Sequence, residues 1–334
     1  MKSKLQMLAV GDVVTDAFIR LLPAEAEIEH DAKRHPLLCM TYGTKIPYEE
    51  EIEVPGVGNA ANAAVAASKL GMQTGFLSDV GSDEVGEKII RSLHAHKVST
   101  EFVRVHMGLR SNYHYVLWYG ADRTILIKHE DYPYNWPEIR SYQKPEWIYL
   151  SSIAESGEPI HRGLSKYLKE NPEIKFAFQP GTFQIREGHT KLSGLYERCS
   201  IFAANKEEFQ QILHSTSSSE KELITKMHKL GPKTVLLTDG PNGAFASDGT
   251  RIVFMSPYPD PQPPVDRTGA GDAYATTFTV AIAKGHSLEE ALAWAGINSM
   301  GVVQKIGAQA GLLTSAELKH YLAKAPKSYT AKEV

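Results

Sequence analysis

The chain has 334 residues and a formal net charge of −3, with 36 Lys and Arg against 39 Asp and Glu. This near-neutral balance, without a long basic stretch, argues against a nucleic-acid partner. The two cysteines fit neither a disulfide framework nor a zinc site. The N-terminal segment lacks the apolar run of a signal peptide, and no stretch reaches the ~18–20 apolar residues that span a bilayer. We therefore expect a cytoplasmic protein without a membrane segment.

The first part of the chain predicts a buried strand followed by short alternating strands. LQMLAVGDVV indicates the buried strand, and AFIRLL, LLCMTYG and EEEIEV alternate apolar with polar residues. Further on, SNYHYVLWYGADRTILIKHE predicts a hairpin that turns at residues 120–122. Large side chains occur on both faces of its first strand, so both faces should be covered. We expect these pieces to form a small antiparallel sheet.

From residue 59 onward, helical and β-rich segments alternate. The predicted helices span 59–70, 83–95, 159–170, 205–214, 219–230, 271–284 and 287–305. The β-rich runs between them are TGFLSDV, EWIYLSS, KFAFQP, SIFAAN and KTVLLTDG. Such alternation predicts a mostly parallel sheet with helices on both faces. The last residues, AKAPKSYTAKEV, are expected to fray.

The segment VDRTGAGDAYATTF, residues 265–278, places two glycines and an alanine directly before an aspartate that opens an apolar helical run. The first N–H groups of a helix lack intrahelical partners, and the helix dipole is positive there. Gly269, Ala270 and Gly271 are therefore a candidate cradle for a phosphoryl group in transfer. Asp272 is the candidate acceptor for the proton of an attacking hydroxyl. Alternatively, Asp272 only complements the helix dipole and the glycines only form a turn.

A second glycine motif, VPGVGNAANAAVAASKLG, occupies residues 54–71. Gly56 and Gly58 precede an alanine-rich helix, for which Asn59 is the predicted N-cap. The side-chain amides of Asn59 and Asn62 can bind sugar hydroxyls as both donors and acceptors. The alternative interpretation is that both asparagines only cap the helix.

The same motif satisfies the dinucleotide pattern G-x-G-x-x-G/A, with Asp79 at a suitable distance for a ribose-binding acid. That pattern would indicate an NAD-dependent oxidoreductase. It requires a buried strand directly before the first glycine, whereas the preceding EEEIEVP is charged and ends in proline. A dehydrogenase therefore stays only as a distant alternative.

The two glycine motifs, in this order and about 200 residues apart, resemble those of the ribokinase-like (PfkB) carbohydrate kinase family. The similar segments are GVGNAANAAVAASKLG, DVGSDEVGEKIIRSL and DRTGAGDAYATTF, within a likeness that runs from about Leu8 to Leu313. The resemblance implies a ribokinase-like three-layer α/β/α fold with a mostly parallel central sheet and a small antiparallel β lid. The expected divisions are a main domain at 1–16, 59–105 and 131–325, a lid at 17–58 and 106–130, and a tail at 326–334.

The resemblance also implies roles for individual residues. It makes Asp272 the catalytic base and assigns the anion hole to Gly269, Ala270 and Gly271. Acceptor binding is implied for Asp16, Gly58 and Asn62, to which the amide chemistry described above adds Asn59, and nucleotide binding is predicted for Asn205, Thr238, Gly240 and Gly243. Glu208 would organise Mg²⁺ through water or phosphate. A monovalent cation such as K⁺, where the family has one, would use Asp266 and Thr268 with backbone near residues 305–311.

Four residues depart from the usual pattern of the family. Asp239 stands where an apolar residue is commoner and adds negative charge near the nucleotide. Val57 replaces a glycine of the first motif, which stiffens the hinge between lid and main domain or shifts it to Gly56. Asn59 stands where members that act on phosphorylated sugars often have lysine, which disfavours a sugar-phosphate substrate. Arg267 replaces a small hydroxyl residue and could reach a phosphate.

The sequence thus predicts a phosphotransferase with an alcohol acceptor, namely an ATP- and Mg²⁺-dependent kinase of a small sugar such as ribose or fructose. A nucleoside kinase of the adenosine kind in the same family is the alternative. A sensor that binds sugar or nucleotide without turnover is a distant one. The resemblance also implies a homodimer formed through the lid.

Overall fold

The computed structural model describes residues 4–120 and 122–334. The strands are β1 (Met7–Val10), β2 (Val14–Leu21), β3 (Ala26–His30), β4 (Pro36–Met40), β5 (Tyr48–Val57), β6 (Thr74–Gly81), β7 (Ser99–His106), β8 (Tyr113–Tyr119), β9 (Asp122–Leu126), β10 (Trp147–Leu150), β11 (Lys175–Phe178), β12 (Ile201–Asn205), β13 (Thr234–Thr238), β14 (Ala244–Ser247), β15 (Ile252–Met255) and β16 (Lys332–Glu333). The helices are α1 (Asn59–Lys69), α2 (Glu84–Ala95), α3 (Glu158–Glu170), α4 (Thr182–Glu187), α5 (Ser193–Arg198), α6 (Lys206–Ile212), α7 (Glu220–His228), α8 (Ala270–Ala283), α9 (Leu288–Val303) and α10 (Ser315–Ala323). The helices predicted from periodicity are confirmed, whereas the short helices α4, α5 and α10 were not predicted.

The large central sheet has the strand order β16-β15-β14-β13-β12-β11-β10-β1-β6-β7 among the described residues. From β13 to β7 all neighbouring strands run parallel, and β14, β15 and β16 add antiparallel strands at one edge. The predicted mostly parallel sheet is therefore confirmed. Because the carboxyl ends of parallel strands lie along one edge, that edge is the expected place for a ligand site.

Helices cover both faces of the central sheet. Along β1, Leu8 and Val10 pack into a core with α3, α5, α6 and α7, whereas Met7 and Ala9 pack towards α1, α8 and α9. Successive side chains of a strand point to opposite faces. Because both faces are covered, the strand is apolar along its whole length. This arrangement confirms the three-layer α/β/α fold.

Helices α1 and α8 pack against each other and bring the two glycine motifs together. Residues 60–67 of α1 are all buried, and all but Asn62 and Val65 are alanine. Such small side chains let helix backbones approach closely.

The described part of the chain contains no helix long and apolar enough to cross a membrane.

A second, smaller sheet, which we call the lid sheet, has the order β5-β2-β8-β9. It confirms the small separate sheet that the sequence predicts, with antiparallel pairs β2–β5 and β8–β9. The pair β2–β8 is parallel. This is possible because α1, β6, α2 and β7 lie between the two strands in the chain, which provides the long connection that a parallel pair needs. Strands β3 and β4 form a separate hairpin, so the prediction that LLCMTYG joins the small sheet is wrong.

The C-terminal segment is ordered, so the prediction that it frays is wrong. Strand β16 pairs with β15. Tyr329 is only 8% exposed, and its hydroxyl donates a hydrogen bond to the backbone carbonyl of Ala293 at 2.8 Å. A buried aromatic ring with a satisfied hydroxyl fixes this end of the chain against α9.

Candidate active site

The N-terminus of α8 has the geometry expected of an anion cradle. Gly269 is the N-cap residue, with a φ of 76° in the left-handed region that favours glycine. A Cβ atom on Gly269 would lie 2.3 Å from the Cβ of Ala308, so a side chain has no room there. Gly271, in contrast, faces open space and lines a cavity. The helix tip therefore presents main-chain atoms to that cavity without obstruction.

Asp272 lies in the first turn of α8 and is 7% exposed. Its Oδ1 accepts hydrogen bonds from the amides of Asn59 and Gln179, each at 2.9 Å, and its Oδ2 accepts one from Asn62 at 2.8 Å. Hydrogen bonds to a charged group are stronger than those between neutral groups, so these amides fix the orientation of the carboxylate. The carboxylate therefore lies at the cavity in a fixed orientation, as its predicted role as proton acceptor requires, and that role stays a prediction.

The two asparagines of the first motif have partners that the sequence does not predict. Both amides donate to Asp272, and Asn62 also accepts a hydrogen bond from Gln309 at 3.0 Å. Gly58, rather than Asn59, is the N-cap of α1, so the prediction of Asn59 as the cap is wrong. In this arrangement Asn59 and Asn62 position the carboxylate of Asp272.

Asn205 and Glu208 meet at the N-terminus of α6 in a reciprocal capping box. The Oδ1 of Asn205 accepts the N–H of Glu208 at 2.9 Å, and the Oε2 of Glu208 accepts the N–H of Asn205 at 2.8 Å. Burial raises the pKa of Glu208 despite the lowering effect of the Asn205 N–H, and the negative charge of Asp272 raises it further. Two carboxylates that face one cavity create a negative site.

That site fits a divalent cation that is held largely by a bound substrate. Glu208 and Asp272 line the same cavity of about 240 Å³. Mg²⁺ is usually held by one or two carboxylates together with waters and substrate phosphates. Among the described residues, no group of three or more His, Cys, Asp or Glu could hold a metal ion. Phosphate oxygens would therefore have to complete the coordination.

A second cavity, of about 320 Å³, shares Thr238 and Gly271 with the first. Gly240 and Gly243 line it, so three of the predicted nucleotide-binding residues lie here, whereas Asn205 lies in the first cavity. The rest of its wall is largely apolar and includes Pro241, Met255, Pro257, Tyr258, Met300 and Val303. An apolar slot with a few polar groups is typical of a site for a planar ring.

Asp16 lies on the lid sheet, on β2 between Val54 of β5 and His114 of β8. Its Oδ1 is 3.4 Å from the Nδ1 of His114, and both side chains are 13% exposed. The other ring nitrogen of His114, Nε2, is buried and has no hydrogen-bond partner among the described residues. Buried polar atoms without partners are rare in native proteins. Neither Asp16 nor His114 lines the cavity that contains Asp272, so a ligand atom would reach this nitrogen only if neighbouring side chains moved.

Asp12, which follows β1, is buried and bound by the protein itself. The Tyr134 hydroxyl donates to its Oδ1 at 2.7 Å, and the Ala154 N–H donates to its Oδ2 at 2.7 Å. The Nδ1 of His129 lies 3.1 Å from the same Oδ2. His129 belongs to the segment that returns from the lid sheet to the main domain. Asp12 thus anchors that return.

The residues predicted for a monovalent cation bind a guanidinium instead. The Nη1 of Arg123, on β9, donates to Asp266 Oδ1 and to Thr268 Oγ1, the latter at 2.5 Å. Asp266 Oδ1 also accepts the N–H of Thr268 at 2.6 Å, and Oδ2 accepts the N–H of Gly307 at 2.8 Å. With donors on both carboxylate oxygens, these residues do not fit an added K⁺ ion.

Gln179 is a site residue that the sequence analysis misses. It directly follows β11, at the carboxyl end of a parallel strand. Its Oε1 accepts a hydrogen bond from the Tyr149 hydroxyl at 2.6 Å, which directs its Nε2 towards Asp272. The available signal was a polar residue immediately after a buried strand of a parallel sheet.

The dehydrogenase alternative is contradicted by the placement of its residues. Gly56 lies in β5 of the lid sheet and does not follow a strand of the parallel sheet. The side chain of Asp79 is 1% exposed and is bound by Arg104 Nη2 and His106 Nε2, each at 2.6 Å. A buried, paired carboxylate cannot bind a ribose.

Comparison with known proteins agrees with this geometry. The family model described as pfkB family carbohydrate kinase matches residues 25–315. Ribokinase of Bacillus subtilis is 28% identical over 275 residues, which cover 80% of this chain and 88% of that protein. Aminoimidazole riboside kinase of Salmonella typhimurium is 24% identical over 266 residues, which cover 72% of this chain and 77% of that protein.

Among solved structures, Arabidopsis thaliana ribokinase complexed with ribose and ATP superposes with a TM-score of 0.76 at 22% identity. The match covers 96% of this chain and 99% of that one, and it shows that the two proteins share a fold. The family model covers most of the chain. This chain therefore belongs to the pfkB family of carbohydrate kinases and is a phosphotransferase with a hydroxyl group as acceptor.

Proposed function

We propose that this chain transfers the terminal phosphoryl group of ATP to a hydroxyl of a small, uncharged sugar of the ribose or fructose kind. One observation carries the proposal. The carboxylate of Asp272 sits at a helix N-terminus in the same cavity as Asn205 and Glu208, next to the apolar slot suited to a nucleotide base. A hydroxyl and a terminal phosphate can therefore be held side by side.

Asp272 is the proposed base. An ionised carboxylate has about four acceptor sites, and the amides of Asn59, Asn62 and Gln179 occupy three of them. Two of these bonds are on Oδ1 and one is on Oδ2, so Oδ2 retains a site for the acceptor hydroxyl. Phosphoryl transfer passes through a loose transition state, in which the hydroxyl loses its proton late. A carboxylate that holds the hydroxyl in line is therefore sufficient.

The main-chain N–H groups of Gly269, Ala270 and Gly271 are the proposed anion hole. They lie at the N-terminus of α8, where N–H groups have no partner within the helix, and they would stabilise the charge that develops on the moving phosphoryl group. The Ala270 N–H donates to the carbonyl of Arg267 at 3.3 Å, a long bond that it would exchange for one to a phosphoryl oxygen. Bound Mg²⁺ would neutralise charge on the nucleotide phosphates. Glu208 would hold it through water or phosphate oxygens, with Asn205 beside it.

The proposed acceptor site joins the lid sheet to the tip of α8. Asp16 and the unpartnered Nε2 of His114 supply polar contacts for sugar hydroxyls. Asn59, which stands where family members acting on sugar phosphates often carry lysine, donates to Asp272 and adds no positive charge. An uncharged polyol suits these contacts better than a phosphorylated sugar.

A nucleoside acceptor is the second candidate, and a cluster of rings favours it. His114 and His129 have ring centroids 5.3 Å apart, and His129 meets Phe183 edge-on at 5.8 Å. Aromatic walls suit a planar base. One relative is named for a riboside substrate, the aminoimidazole riboside kinase of Salmonella typhimurium.

We also infer that the lid sheet pairs with a second copy of the chain. Tyr115 of β8 lies opposite Leu126 of β9, so the two side chains share a face, and they are 48% and 52% exposed. Exposed apolar side chains on a sheet face are candidates for a protein contact.

ADP release on incubation with ATP and Mg²⁺ tests the proposal when it is measured across ribose, fructose, 2-keto-3-deoxygluconate, adenosine and other nucleosides. We expect ADP and one phosphorylated product with at least one sugar. Turnover with nucleosides alone would establish the second candidate. Binding of ATP and sugar without ADP release, for every acceptor, would indicate a sensor and contradict the proposal.

A further inference from the structure

The loop that leads into the anion hole carries a buried negative charge whose positive partner comes from the lid sheet. Asp266 is 4% exposed, and Arg123 on β9 contacts both Asp266 and Thr268. We propose that Arg123 is a positioning residue that replaces a monovalent cation behind the anion hole. The enzyme is then independent of K⁺, and closing the lid sheet supplies the charge that an ion supplies elsewhere.

Asp266 joins the two loops that shape the tip of α8. One carboxylate oxygen accepts the N–H of Thr268, which directly precedes Gly269. The other accepts the N–H of Gly307, whose neighbour Ala308 fills the space where a Gly269 side chain would lie. The position of the Asp266 carboxylate therefore sets the position of the anion hole. A buried carboxylate without a counter-charge is strongly unfavourable, so this arrangement needs a cation.

Arg123 supplies the positive charge that the buried Asp266 carboxylate needs, and the space around the pair is too small for an ion. The gap bounded by Arg123, Asp266, Phe18 and Trp118 is about 10 Å³, at or below the smallest cavity that holds one water. Burial lowers the pKa of Arg123, the charge of Asp122 opposes that effect and the charge of Arg267 adds to it, yet a guanidinium remains protonated in proteins. An added cation would meet positive charge as well as a lack of room.

Because Arg123 belongs to the lid sheet, closure of the lid and completion of the anion hole are coupled. Strand β9 is the edge strand of the lid sheet, so movement of that sheet away from the main domain removes the guanidinium from Asp266. The anion hole is then complete only while the lid is closed over an acceptor, which limits hydrolysis of ATP by water. This inference rests on the kinase chemistry of the family and not on the identity of the acceptor.

The test compares the wild type, Arg123→Ala and Arg123→Lys in Na⁺ and in K⁺ buffers of equal ionic strength, with Arg20→Ala as a matched control. Arg20 is also on the lid sheet, where it pairs with Glu49 and lies over the ring of Trp118, so its removal reports any indirect effect on the wall of the gap. We expect wild-type and Arg20→Ala turnover to change less than about 2-fold between the salts. Arg123→Ala should lose about 10–100-fold in kcat, as is usual when a supporting partner of a site is removed. Added guanidinium or K⁺ should restore part of that loss, and Arg123→Lys should lie between the two.

Thermal unfolding gives a readout that needs no turnover. We expect K⁺ to raise the Tm of Arg123→Ala relative to Na⁺ and to leave the wild-type Tm unchanged, because only the variant has an open cation site. Strong K⁺ activation of the wild type would overturn the proposal. So would a fully active Arg123→Ala, or a folded but inactive Arg123→Ala that neither guanidinium nor K⁺ restores. Since the Tm result does not depend on the acceptor, it separates failure of this inference from failure of the proposed function.

Discussion

The two ends of the site are built in different ways. The proposed phosphate end centres on one helix tip, where the conformation of Gly269 and the first turn of α8 would form the cradle. The proposed acceptor end would use side chains from two strands of the lid sheet, with Asp16 on β2 and His114 on β8. In this proposal a short segment encodes the phosphate site through its backbone, whereas the acceptor site depends on how distant strands pair.

The sharpest way to break the phosphate end is Gly269→Ala. A Cβ would lie 2.3 Å from that of Ala308, and the φ of 76° disfavours any side chain. Loss of a single oxyanion-type donor costs 10²–10³-fold, so displacement of the whole tip should lower kcat by about 10³-fold.

Gly285→Ala is the matched control for that prediction. Gly285 has a φ of 85°, and its Cβ would meet nothing within 4 Å. It should lose stability but keep its turnover, as measured by Tm and ADP release. If Gly269→Ala stayed within about 3-fold of the wild type, the cradle would not depend on this backbone.

A smaller effect is expected at the acceptor end from His114→Ala. Removal of one hydrogen bond worth about 1–1.5 kcal/mol should raise the acceptor KM by about 10-fold. The KM for ATP and the kcat should change little, because the phosphate end is untouched. His94→Ala is the control, since His94 is an exposed residue of α2. An unchanged acceptor KM in His114→Ala would remove this nitrogen from the acceptor site.

The smallest effect on turnover is expected outside both ends, at the face of the lid sheet. Tyr115→Glu combined with Leu126→Glu should convert a dimer to a monomer in sedimentation measurements, because two charges would have to be buried at the interface. Turnover per subunit should stay within about 2-fold. Ile28→Glu, on the separate β3–β4 hairpin and 48% exposed in the wild type, should leave the oligomeric state unchanged. A wild type that sediments as a monomer would contradict the proposed dimer.

The contrast between local and distant contacts also explains which parts of the site could be predicted from the sequence. Local spacing at one helix terminus made Gly269 and Asp272 candidates for the phosphate end, whereas Asn205 and Glu208 followed from the resemblance to the family; the roles of all four stay predictions. The contact between Arg123 and Asp266 could not be predicted in this way. The two residues lie 143 positions apart and meet only because the lid sheet packs against the main domain.

Other parts of the site were missed for a similar reason. Gln179 meets Asp272 across 93 positions, and the parallel pairing of β2 with β8, which sets His114 beside Asp16, has no local signature. The ordered C-terminus also depends on a distant contact, between Tyr329 and Ala293.

The most direct test of the central claim is the turnover of Asp272→Asn at saturating acceptor, together with its affinity for ATP. Asp248→Asn, at an exposed turn between β14 and β15, is the control and should behave as the wild type. The account predicts that Asp272→Asn lowers kcat by about 10²–10⁴-fold, with ATP binding unchanged, because the amide cannot accept the hydroxyl proton. Near-normal turnover in Asp272→Asn would contradict the account.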